Sequence, residues 1–149
     1  MIDLPPFIFV TCQSGVENVL KSEIARSYPF LRPAFSRRGF VTFKFSGDIK
    51  PHEGFSLEAV FARSWGFCFG QVLASDWGTA AQETWKKIGD TPVRWIHVWP
   101  RDSSPPGRSD PEKPWPPEIG QIYQILLDTR PERIRLPPKL DETTAAPLG

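Results

Sequence analysis

The sequence predicts an α+β fold: a βαββαβ layer over residues 1–74, a short α/β unit over 75–135, and a linker-like tail over 136–149. Three observations carry that expectation. Apolar residues switch between a two-residue and a three-to-four-residue period along the first 74 positions, the mark of strands alternating with helices. Eleven of the 17 prolines lie at or beyond Pro100, which concentrates regular structure in the first hundred residues. A content of 40% hydrophobic and 13% aromatic residues in 149 positions is enough to fill a core.

Phe7 to Cys12 is a short continuous apolar run and reads as a buried strand. Val16, Val19, Leu20 and Ile24 then recur at helical spacing, with Glu17, Lys21 and Arg26 turned away, until Pro29 ends the helix. Ser14 and Glu17 have the S-x-x-E spacing of a capping box. Leu31–Ser36 and Phe40–Phe45 read as a hairpin about Arg37, Arg38 and Gly39, the second arm alternating Val41, Phe43 and Phe45 against Phe40, Thr42 and Lys44. Leu57, Val60 and Phe61 suggest a second helix over Ser56–Ser64, and Trp65–Leu73 reads as the last strand of the layer. That order is the split-βαβ, ferredoxin-like plan. Beyond it come a helix at Trp77–Ile88, a strand at Val93–Trp99, a proline loop from Arg101 to Pro117, and a helix from Pro117 to Asp128. The tail after Arg130 has no stop signal of its own, so the natural protein is expected to continue past Gly149.

The turn "TCQSGVE" sits where enzymes often keep their chemistry, yet each catalytic pattern lacks a part. A cysteine phosphatase loop needs an arginine six positions after Cys12, where Asn18 stands. A nucleophile elbow needs glycines around Ser14, where Cys12 and Val16 stand, and a phosphate cradle needs more than Gly15. A helix start remains, with Cys12 as a small buried hydrophobe. Cys12 and Cys68 are the only cysteines and are far apart, which argues against a disulfide framework or a zinc site, and His52 has no partner at metal spacing. No catalytic residue and no cofactor or metal ligand is therefore expected in this chain. The start "MIDLPPFIFV" has no basic segment and too short an apolar run for a signal or a span, so a cytoplasmic protein without membrane contact is expected.

A net charge of +1 falls short of a strongly basic nucleic-acid binder, so any RNA contact has to be local. Arg37 and Arg38 at the hairpin tip, Arg63 and Arg101 are the candidates to reach phosphates, with Arg63 alternatively a buried ion-pair partner. Arg94 and Arg108 flank the second unit, and Arg130, Arg133, Arg135 and Lys139 are spaced along the tail. Trp95, His97 and Trp99 would share one face of their strand, either to stack bases or to be buried by a covering layer. Trp77, Trp85 and Trp115, if exposed, would suit a protein-interaction module instead.

The run "FVTCQSGVENVLKSEI" resembles the start of RNA-modifying enzymes with a THUMP domain. With "SLEAVFARSWGFCFGQVL", the chain is similar to the N-terminal region of the large-subunit ribosomal RNA 2′-O-ribose methyltransferase M family, over residues 7–74 and more loosely 76–135. The resemblance implies a ferredoxin-like module followed by a partial THUMP-like module, docking structured, ribosomal RNA for a downstream catalytic domain. In that family the catalytic domain binds S-adenosylmethionine. No glycine-rich strand-to-helix turn of that kind occurs in these 149 residues, so the cofactor and the catalytic set are not carried over to any position here.

Overall fold

The computed structural model describes residues 3–101, 106 and 112–136. It has a four-stranded antiparallel sheet and three helices, a mixed α+β architecture. Strand β1 (Phe7–Thr11) leads into helix α1 (Glu17–Ser27), then β2 (Leu31–Arg37), β3 (Phe40–Phe45) and β4 (Ser64–Phe67). Two helices follow, α2 (Trp77–Ile88) and α3 (Glu118–Asp128). The sheet order is β2-β3-β1-β4. Since β3 is antiparallel to both β1 and β2, those two strands run the same way with β3 between them, joined by α1.

One face of the sheet makes the core. Ile8, Val10, Val41 and Phe43 are fully buried, and the register Ile8↔Phe43 and Val10↔Val41 stacks them in pairs. Leu20 and Ile24, one turn apart on α1, close over them with no exposed surface. The rest of the lid is not a helix. Residues 55–62 cross from β3 to β4 as irregular chain, packing Phe55, Leu57, Ala59 and Ala62 onto the core.

This overturns the helix expected over Ser56–Ser64, and the reason is visible in its backbone. The amides of Val60 and Phe61, which a helix would direct at carbonyls four residues back, instead donate to the Glu23 carboxylate on α1 at 2.6 and 3.1 Å. Tyr28 holds the other end, its hydroxyl accepting from the Glu58 amide at 2.7 Å. Phe55 anchors the segment edge-on to Tyr28, Phe45 and Trp65, with ring centroids 5.1–6.0 Å apart. A short apolar run with one helical face loses to these fixed partners.

Three further expectations need correction. β4 stops at Phe67 rather than reaching Leu73, and Gly70 soon afterwards takes a φ of 96° that turns the chain away. Val93–Trp99 forms no strand; it lies between Pro92 and Pro100 as irregular chain crossing to the sheet, where His97, Val98 and Trp99 line a cleft with Phe9, Thr11 and Ser64. The capping box fails because the helix begins at Glu17, with Val16 at the cap and no side-chain cap bond, so the glutamate stands two positions too early. The hairpin, α1, α2 and α3 lie where the periodicity puts them, α2 capped by Asp76 accepting from the Thr79 amide at 2.8 Å. Parts of the proline loop, including Arg108, and residues 137–149, including Lys139, lie outside the described residues.

Helices α2 and α3 pack on each other. Trp85 is 5% exposed and its indole N–H donates to the Leu126 carbonyl at 3.2 Å. Ala81 and Ile134 complete the small buried set of this half. Among the described residues no helix is long and apolar enough to cross a membrane.

Candidate functional site

Alternation along the strands sends the residues between the core positions to the opposite face of the sheet. Nearest the hairpin turn, Arg37, Phe40, Thr11 and Ser64 lie abreast on the four strands. The next row holds Phe35, Thr42, Phe9 and Gly66, and the last Arg32, Lys44 and Phe7. None of the four strands contains an aspartate or glutamate. The face is therefore aromatic and basic, on strands whose other face is apolar but for Ser36 at the outer edge.

Rings and cations are interleaved there. Phe9 and Phe40 lie parallel, with centroids 5.7 Å apart and planes within 3°. The Arg37 guanidinium stands 4.8 Å above the Phe40 ring, Lys44 5.7 Å from Phe7, and Arg101 5.6 Å from Phe35. Gly66 makes room for Phe9: a Cβ at position 66 would come 2.8 Å from its ring. Any larger residue would push the ring off the strand.

The crossing chain turns part of this face into a cleft of about 400 Å³. Phe9, Thr11 and Ser64 line it as a floor from the sheet, and His97, Trp99 and Trp115 line it from the chain beyond α2. His97 is exposed and the two tryptophans are half-buried, which replaces the expected strand face of Trp95, His97 and Trp99. On the floor, the Thr11 and Ser64 hydroxyls are bonded to each other at 2.5 Å. The Thr11 hydroxyl also donates to the Ser64 carbonyl at 3.5 Å, so the pair is bonded within itself and offers a ligand its spare lone pairs as acceptors.

Of the four arginines singled out in the sequence, Arg37, Arg38 and Arg63 are gathered at the hairpin end of the sheet, and Arg101 reaches Phe35 from the crossing chain. Arg38 is exposed at the turn tip. Arg63 is also exposed, entering β4 with its amide bonded to the Thr11 carbonyl at 2.8 Å, and is not a buried ion-pair partner. Trp77 is 51% exposed, whereas Trp85 is buried and unsuited to anchor another protein. What the sequence reading missed is Phe9, Thr11 and Ser64. Residues 7–10 are apolar on both faces, so alternation was hidden in the strand that matters most.

The β1–α1 turn holds no anion cradle. The Glu17 carboxylate already accepts from the amides of Gly39 at 2.7 Å and Gly15 at 3.0 Å, tying the helix start to the hairpin turn. Those bonds, the Gly39 amide foremost, hold its carboxyl below the usual carboxylate range, with Arg38 adding to the effect. Cys12 is 1% exposed within the core. Burial, and secondarily the Glu17 charge, pushes its thiol up, the opposite of an activated nucleophile. Among the described residues no group of three His, Cys, Asp or Glu is arranged to hold a metal. Compared with known proteins, the chain matches no family model, no curated protein and no solved structure.

Proposed function

We propose that this chain is an RNA-docking module, binding by phosphate contacts and ring stacking rather than by catalysis of its own. The observation that carries the reading is the second face of the sheet, where Arg32, Arg37 and Lys44 stand among Phe7, Phe9, Phe35 and Phe40 on strands without a carboxylate. Such a surface concentrates positive charge locally even in a chain whose net charge is +1. Rings next to cations suit a ligand that alternates phosphate and planar base. The split-βαβ strand order supports the ferredoxin-like part of the expectation, with an irregular crossover in place of the second helix. The THUMP-like part has less support, since the unit after β4 forms helices α2 and α3 and no strand among its described residues. Service to an S-adenosylmethionine-dependent ribose methyltransferase domain rests on the two sequence runs that resemble that family.

The test is titration of the full chain with a structured RNA hairpin at 50 and 200 mM salt. Docking through several phosphates predicts that log affinity falls linearly with log salt, at a slope of about −0.7 to −0.9 per contact. Changing both Arg37→Glu and Arg38→Glu should weaken binding at least tenfold and flatten the slope. Binding that ignores salt, or survives the double change unaltered, refutes the reading.

A further inference from the structure

The cleft between the sheet and the crossing chain has a shape and lining that phosphate docking alone does not require. Its volume of about 400 Å³ lies in the range of clefts that enclose small planar ligands, about 300–1,000 Å³. Rings line it from the sheet, Phe9, and from the later chain, Trp99 and Trp115. The Thr11–Ser64 hydroxyl pair gives the floor acceptor lone pairs, which the N–H groups on the edge of a nucleobase can meet. Phe9 stacks on Phe40, and Arg37 stands over Phe40, so the cleft opens directly onto the cationic part of the face. A base in the cleft would have its own phosphate and the next ones within reach of Arg37 and Arg101, the second standing over Phe35 one row inward.

We infer that this cleft takes one unpaired base of the bound RNA, stacked between Phe9 and the tryptophans, while the adjoining phosphates run along Arg37 and Arg101. The inference rests on the RNA-docking reading and narrows it, because a fully paired helix keeps its bases inside the stack and has nothing to insert. The module thus selects RNA with an unpaired nucleotide beside the docked stem. Hydroxyls and rings together favour a base over a peptide side chain, and the cations favour a phosphate backbone over an apolar partner.

The experiment uses the full chain and three probes: a blunt RNA hairpin, the same hairpin with a five-nucleotide single-stranded overhang, and a poly-glutamate peptide. The overhang should tighten binding by about tenfold, the effect of one stacked base, and should quench tryptophan emission, which the blunt hairpin should not. Trp115→Ala, outside the sheet and its docking face, should remove the overhang's advantage while leaving blunt-hairpin affinity within twofold. Phe9→Ala should remove the same advantage and, since Phe9 also belongs to the docking face, weaken binding of both hairpins. Equal affinity for both hairpins without quenching overturns the cleft inference and leaves RNA docking standing. Quenching by the overhang with no binding of the blunt hairpin keeps the cleft and removes the stem-docking reading. Binding of neither RNA, or equal binding and quenching by poly-glutamate, overturns both.

Discussion

Helices α1 and α3 have the same length, eleven residues, and meet opposite fates. α1, rich in charge, buries Leu20 and Ile24 completely against the sheet. α3, with Ile119, Ile122, Ile125, Leu126 and Leu127 in its span, has no buried residue. The difference lies in what each helix is given to cover. A sheet offers a broad surface that two side chains one turn apart can press into, while α2 offers a single ridge, from which only Ala81 and Trp85 are buried. Apolar content does not make a core; a matching surface does.

The comparison implies two units of unequal strength, and the sharpest way to break it is in the sheet. Phe43→Ala empties the middle of β3 and should cost about 3–5 kcal/mol, enough to lower the urea midpoint of the whole chain. Trp85→Ala should cost nearer 3 kcal/mol and act on α2 and α3 alone. Hydrogen exchange reads the distinction: amides of β1 and β3 keep their protection in Trp85→Ala. If they lose it together with α2, the halves unfold as one and the contrast fails.

Smaller changes sharpen the contrast. Glu17 joins α1 to the hairpin, so Glu17→Gln should cost roughly 1 kcal/mol at pH 7, reduced by solvent screening. Its carboxyl is depressed in the folded state, so its contribution is full above the ordinary carboxylate range and is lost as pH falls through the lower folded value. Wild type and Glu17→Gln should therefore differ in thermal midpoint at neutral pH and converge in acid; a constant gap would mean that the charge is irrelevant. Smallest of all, Asp76→Ala removes the cap of α2, and faster exchange at Thr79 with an unchanged sheet is expected.

Much of the sheet half was legible because its signals are local. The hairpin is announced by Val41, Phe43 and Phe45 alternating with polar neighbours, and α1 by a period that Pro29 cuts short. What failed depended on remote partners. Nothing in Ser56–Ser64 tells that Glu23, more than thirty residues earlier, holds the amides of Val60 and Phe61. The candidate site was half legible: Arg37 and Arg38 stand out at a turn, whereas Phe9 takes its role from Gly66, a cross-strand neighbour that only the register reveals.

The register shift between Pro33 and Phe35 has one more consequence. β2 is one of the two outer strands of the sheet, with β4 the other, and an outer strand offers its unused amides and carbonyls to any other chain that can lie alongside. Pro33 has no amide to offer, and the irregular step at Ala34 breaks the even spacing that an incoming strand would have to follow. Arg32 and Arg37 place like charges where two copies would meet edge to edge. The β2 margin of the sheet is thereby guarded against recruiting its own kind into a growing ribbon.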